Sequence, residues 1–296
     1  MAPEYRNNNW IPNFFFVDMP ETDSKYIYRM ERRNAAHQLS GMLKVRLVTV
    51  DPLFIGSGFQ ELEDGQFVKQ TLTENGRPII PGSGLKGAVR QICRAVSYSC
   101  VPKEKIRMPR GTFSQCKNER EAKFDSGCIV CDMFGKMGWS SKVFFSDLIA
   151  ESGETIRCRA AQQFPPHPEA EKYLDGDNCH AYKFYKTKID SVTKPQNDLL
   201  RAVPPKAVFT GEITYRNLEE QELELLLFAL GQTKTISLKI GGYRNEKFGT
   251  VNLELTSADI PDIKAKAQKY KEYMKQDNGY PNDNIERLED KMPYIP

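Results

Sequence analysis

The chain has 296 residues, 40% hydrophobic and 27% charged, which supplies a sizeable core and excludes a disordered or collagen-like polymer. Forty-two Lys and Arg against 39 Asp and Glu leave a net charge of +3, too mild to argue for a nucleic-acid partner except from where the charges sit. No apolar run approaches the ~20 residues of a membrane helix, and the start, MAPEYRNNNW, lacks the basic-then-apolar order of an export signal. A cytoplasmic protein without a membrane partner is therefore expected. In that reducing setting its seven cysteines suit metal binding better than disulfides.

Residues 1–40 read as an extension rich in Asn, Pro and charge, with an aromatic knot at Phe14, Phe15 and Phe16 that packs at home or on a neighbour. Apolar and basic residues alternate over Leu43 to Leu47, the period of a half-buried strand. Gly56, Ser57 and Gly58 are expected to end that element. A polar stretch from Gln60 to Arg77 follows, with a tight-turn signal at Asn75-Gly76. From Ser83, the expected N-cap, the pattern turns helical. Leu85, Val89, Ile92 and Val96 form one face, and Lys86, Arg90 and Arg94 form a basic stripe on another. Residues 100–135 have no period but carry cysteines, and Val143 to Phe145 opens another strand. Residues 158–206 are irregular and basic, too long for an idle connection. Strand alternation returns at Phe209, Gly211, Ile213 and Tyr215. A helix is expected from Asn217, with Glu220 completing a capping box. A glycine-bearing loop from Gly241 to Gly249 leads into a last strand at Val251, Leu253 and Leu255. The lysine-rich tail after Pro261 is expected to be a solvated helix and then a frayed end. The order strand, helix, strand, insertion, strand, helix, strand predicts an α+β domain of the ferredoxin-like, RRM-like type.

Four segments resemble the CRISPR-associated RAMP superfamily, in particular the backbone subunits of type III effector complexes. They are Pro78 to Arg90 (PIIPGSGLKGAVR), the Cys-x-x-Cys-x-x-Phe-Gly element from Cys128 to Gly135, Asp147 in the following Ser/Phe-x-Asp ending, and the loop Gly241 to Gly249, which has Asn245-Glu246 where the family often has Gly, Ser or Arg. Together they span about residues 42–256. The resemblance implies a RAMP domain over 41–260 with a thumb-like insertion at about 158–203; the cysteines themselves mark a zinc-stapled region at about 100–135, and the charged tail at 261–296, like residues 1–40, lies outside the resemblance. The resemblance also implies a subunit that binds guide RNA, meets complementary target RNA, assembles with other CRISPR effector subunits in antiviral defence and, in catalytic members, cleaves the target with an Asp and a metal.

The residues carry parts of this reading on their own. A helix N-terminus holds phosphate, and Gly82 and Gly84 admit a close backbone, so Ser83, Gly84, Lys86 and Arg90 are candidate RNA contacts. Gly242, Arg244 and Lys247 of the glycine loop form a second candidate cradle. His180 and Lys183 lie in a basic-aromatic run suited to stacking and phosphate binding. The acidic loop Glu61 to Gly65 would repel phosphate unless it recruits a divalent cation such as Mg2+. By its distance from the Pro78 motif, Asp64 falls near the family's catalytic Asp, although the spacing is slightly longer. Endoribonuclease cleavage by Asp64 and a metal is one reading. A structural or end-capping subunit that only binds RNA is another, and a metal-independent guide-processing nuclease using His180 a third. Cys128 and Cys131 have zinc-knuckle spacing. Cys116 is a third expected ligand of a structural Zn2+, and Cys100 or Cys93 the fourth.

Overall fold

Alternation along the strand Leu39–Thr49 buries Leu43, Val45 and Leu47 and exposes Met42, Lys44 and Arg46. That strand is the centre of the main sheet in the computed structural model, which describes residues 13–19, 28–29, 38–100, 126–136, 139–161, 174–175, 178–179, 181–189, 197–277 and 280–296. It runs antiparallel between Thr250–Thr256 and Val208–Leu218. Val208–Leu218 pairs on its far side with Val143–Phe145 and Leu148–Ala150. Counting Val143–Phe145 and Leu148–Ala150 as one interrupted strand, the four principal strands, numbered in chain order, lie in space as fourth, first, third, second. Leu238–Lys239 extends one edge, and Arg77–Ile80 with Thr73–Glu74 the other.

Helix α1 (Gly82–Ala95) links the first and second principal strands, a short α2 (Ile129–Phe134) lies within the same connection, and α3 (Glu220–Ala229) links the third and fourth. Leu85, Val89 and Ile92 of α1 and Leu223, Leu226 and Leu227 of α3 share one core with the inward residues of the sheet. The opposite face stays open and carries Met42, Lys44, Arg46, Phe144, Thr210, Glu212, Arg216 and Glu254.

The helix starts differ from the sequence reading. Pro81, not Ser83, is the N-cap of α1, and its first amide donates to Asp147 Oδ1 at 2.7 Å. Proline lacks an N–H and pre-sets φ, so it can start the helix while a distant carboxylate meets the free donor. The capping box of α3 uses Glu219 and Glu222, two residues beyond the expected pair, because Asn217 takes a left-handed turn (φ 55°). Gly56 to Gly58 open a strand instead of closing one. Gly56–Glu63 and Gln66–Thr71 form a hairpin whose two-residue turn, Asp64-Gly65, has both φ values positive. The turn at Asn75-Gly76 forms as expected.

This hairpin joins Ile156–Ala160 and Asp198–Ala202 in a four-stranded sheet, with its own core of Phe54, Ala160, Leu200, Ala202, Tyr243 and Phe248. Phe14–Asp18 pairs antiparallel with Ala181–Tyr185, so the aromatic knot packs at home. The tail does not fray. Helix α4 (Ile263–Asp277) buries Tyr270, whose hydroxyl donates to Val96 O at 2.7 Å. Asn284 in α5 (Tyr280–Lys291) donates to Ala95 O and Asp18 O, capping the end of α1 and gripping the N-terminal strand. The tail has apolar residues at helical spacing, and Ile285, Leu288 and Met292 complete the core. No described helix is long and apolar enough to cross a membrane.

Candidate functional site

Three segments far apart in sequence meet at one cleft. Ala88, Gln91 and Ile92 of α1, Lys183 and Tyr185 of the strand Ala181–Tyr185, and Lys239 and Arg244 beside and within the glycine loop line it. The Lys183 ammonium lies 5.3 Å from the Tyr185 ring and 4.1 Å from that of Phe14, and the Arg244 guanidinium 4.8 Å from Tyr185. Burial, and then the charge of Arg244, lower the Lys183 pKa. Among the described residues neither cation has a carboxylate partner. Two cations gathered around one aromatic ring without an acid attract an anion and offer it a stacking surface. Gln91 Nε2 donates to Lys183 O at 2.8 Å and fixes this strand on α1.

The glycine loop is built around a lysine that periodicity and spacing do not single out. Lys239 is buried, and its Nζ donates to the carbonyls of Arg244, Glu246 and Phe248 at 3.1, 2.7 and 3.0 Å. Desolvation pushes its pKa down to about 8. Gly249 has φ +76°, and a Cβ there would lie 2.0 Å from Ile240 O, so only glycine closes the loop. The Gly242 amide is spent on Phe54 O at 2.8 Å. Arg244 and the exposed Lys247 remain on the surface. Tyr243 turns inward, where its hydroxyl donates to Asp198, which also takes Lys69 at 2.8 Å.

At the start of α1, Ser83, Gly84 and Gly87 are exposed, and a Cβ on either glycine would touch nothing within 4 Å. The expected basic stripe is partly turned inward. Lys86 Nζ donates to Ser141 Oγ and Val143 O at 2.7 and 2.9 Å, and Arg90 to Gly135 O at 2.8 Å. These carbonyls lie at the end of α2 and at the start of the strand Val143–Phe145, and Val143 O also accepts the Ser141 hydroxyl at 2.6 Å. Tyr185 belongs to the basic-aromatic run that the sequence singled out, whereas sequence reasoning missed Phe144 and Arg216; an exposed aromatic flanked by cations becomes visible only once the strands are paired.

Cys100, Cys128 and Cys131 converge in the core with their sulfurs within 4.8 Å of one another, the two closest pairs at 3.4 and 3.5 Å. Cys128 is the N-cap of α2 and accepts the Cys131 amide at 3.3 Å, a bond that stabilises a thiolate. Zinc–sulfur bonds of about 2.3 Å require sulfurs just under 4 Å apart, so the trio fits a structural Zn2+ as three of four ligands. Of the alternatives Cys100 and Cys93, Cys100 joins the cluster. Cys93 is fully buried in α1 with its thiol pKa pushed up by desolvation. Cys116 and His180 lie outside the described residues.

Next to this cluster, Lys142 is buried between Asp132 and Glu222 at 2.6 and 3.0 Å. Two acids share one base, and burial followed by the Asp132 charge pushes Glu222 up to about 8. The triad ties the cysteine helix to α3.

Asp64 stands at the tip of the hairpin with its side chain 87% exposed, and its Oδ2 accepts Arg157 at 2.9 Å. Glu63 holds Arg201 in a two-pronged pair, which lowers its pKa. Among the described residues, the cysteine trio is the one cluster arranged to hold a metal.

A family model described as RAMPs, RAMP superfamily, matches residues 46–252, most of the chain. No curated protein matches it.

Proposed function

The chain belongs to the RAMP superfamily, a group that is generally CRISPR-associated, and from that premise we propose that it is a guide-RNA-binding subunit of a type III CRISPR effector ribonucleoprotein. The observation that carries this reading is the pairing of Lys183 and Arg244 around Tyr185, two cations without an acid on an otherwise evenly charged chain. The spatial order fourth, first, third, second supports a ferredoxin-like core. In this reading the segment around Ala181–Tyr185 belongs to the thumb-like insertion. The RNA backbone runs from the bare start of α1 at Ser83 and Gly84 towards the cleft. Gly84, Gly87, Ala88 and Gln91 share one helix stripe, about 10 Å long at 1.5 Å per residue. A protein that accepts any guide sequence needs such contacts to phosphate and sugar. A structural Zn2+ on Cys100, Cys128 and Cys131 would pin the region between α1 and the sheet.

Lys183→Ala with Arg244→Ala tests the reading. Affinity for single-stranded RNA is expected to fall, and the slope of log K against log salt to flatten by about 0.7 per lost phosphate contact. Unchanged affinity and slope would refute it.

Asp64 is proposed as the carboxylate for Mg2+-dependent cleavage of target RNA, supported by its exposure at a projecting tip. The binding-only alternative is favoured by the Arg157 pair, which a cation would have to displace. Asp64→Ala separates the two: loss of EDTA-sensitive cleavage with binding intact supports catalysis, and a wild type that binds without cleaving supports the alternative.

A further inference from the structure

We propose that Phe144, on the open face of the main sheet, is a stacking platform for one base of single-stranded RNA, flanked by Arg216 and Lys86 for the neighbouring phosphates. The proposal rests on the RNA-binding reading above and adds a site separate from the Lys183–Arg244 cleft.

Strand register builds the platform. Thr214 sits opposite Phe144 on one side and Met42 on the other, so the three form a row across the sheet. Phe145, the next residue, turns the other way and stacks on Phe134. That leaves Phe144 pointing to solvent, 45% exposed. A large aromatic left exposed on a sheet face offers a π-face that suits a base of any identity.

The charges around it are arranged for a polyanion. The Arg216 guanidinium and the Lys86 ammonium each lie 5.9 Å from the ring centroid, at the outer limit of a cation–π contact, so they rim the ring. Lys86 uses two of its three N–H donors on Ser141 Oγ and Val143 O, which fixes the ammonium beside the ring with one donor left for a phosphate. Of the acids of this face, Glu254 is paired, accepting Arg46 at 2.9 Å, and Glu212 stands opposite Lys44 in the strand register. Among the described residues Arg216 has no acid partner. Helix α1 begins against the same segment, since a Cβ on Gly82 would lie 2.3 Å from Phe145 O. A strand of RNA can therefore set a base on Phe144 and its phosphate near the α1 start. A docked peptide would favour a continuous apolar row, which Thr214 interrupts.

The test uses the full chain, a uridine 12-mer carrying one 2-aminopurine, and the same 12-mer with abasic sites. Phe144→Leu keeps apolar bulk and removes the π-face. We expect 2-aminopurine quenching on the wild type and its loss in Phe144→Leu. Affinity for the base-bearing strand should fall about 5- to 150-fold, the range for one stacked base, with abasic-strand affinity unchanged. Phe144→Trp should restore binding, and Arg216→Gln should weaken both strands and flatten the salt slope. Wild-type RNA binding with equal affinity and quenching in Phe144→Leu would overturn the platform and leave the RNA-binding reading standing. A wild type that binds neither strand would overturn both.

Discussion

Lys239→Met in the glycine loop makes a quantitative test of how that loop is held. The substitution keeps an unbranched chain and removes the donor to the carbonyls of Arg244, Glu246 and Phe248. Each carbonyl left without a partner costs about 1–3 kcal/mol. Against this, the variant no longer buries a charge. The lowering of the lysine pKa from 10.5 to about 8 puts that burial at about 3 kcal/mol. The net loss at pH 7 is then about 3 kcal/mol, read as a drop in urea-unfolding free energy. The pH dependence is more diagnostic. Below pH 8 both folded and unfolded chains hold the proton. Between 8 and 10.5 the unfolded chain still binds it and the folded one has released it, so wild-type stability gains from this group as pH rises. Lys239→Met has no such gain. The gap between wild type and variant should widen by about 2.5 kcal/mol from pH 7 to pH 10. A gap that stays flat or narrows would refute the caged-lysine account.

Four further perturbations probe the frame around the candidate site. Lys142→Met leaves Asp132 and Glu222 buried together and should cost about 3–5 kcal/mol in denaturant unfolding. Glu222→Gln should remove a pH dependence: with its folded pKa raised to about 8, Glu222 contributes stability that is full below about pH 4.5 and lost as pH rises through 8, so the variant's melting temperature should decline less over that window. Stripping metal with a chelator, or Cys131→Ser, should lower the melting temperature and make Cys100 and Cys128 titrate with a thiol reagent in the folded protein; unchanged reactivity and melting would exclude a bound metal. Gly82→Ala places a Cβ 2.3 Å from Phe145 O and 2.6 Å from Ser146 O. It should shift the start of α1 and destabilise by more than 1 kcal/mol, whereas Gly84→Ala, which meets nothing, should not.

Local pattern carried much of this protein. The alternation over Leu43 to Leu47, the face Leu85, Val89 and Ile92, the Asn75-Gly76 turn and the Cys128–Cys131 spacing depend on residues within one turn or one strand, and each is legible without a partner. The resemblance of Pro78 to Arg90 named the superfamily for the same reason, since a short motif holds its backbone geometry in its own residues. What the sequence left open depends on distant partners. Asp147 caps a helix 65 residues before it, Asn284 caps the end of the same helix from the tail, and Lys239 holds a loop that follows it. Lys86 and Arg90 read as a free basic stripe, yet the Ser141 hydroxyl and the carbonyls of Val143 and Gly135 draw them in. Phe144 and Arg216 show no periodic signal, because their meaning lies in which cations surround an aromatic ring across paired strands. Periodicity reports which side of an element is apolar. Charge pairing, orphaned donors and exposed rings are settled only when elements far apart in the chain are packed, and on that packing the candidate site depends.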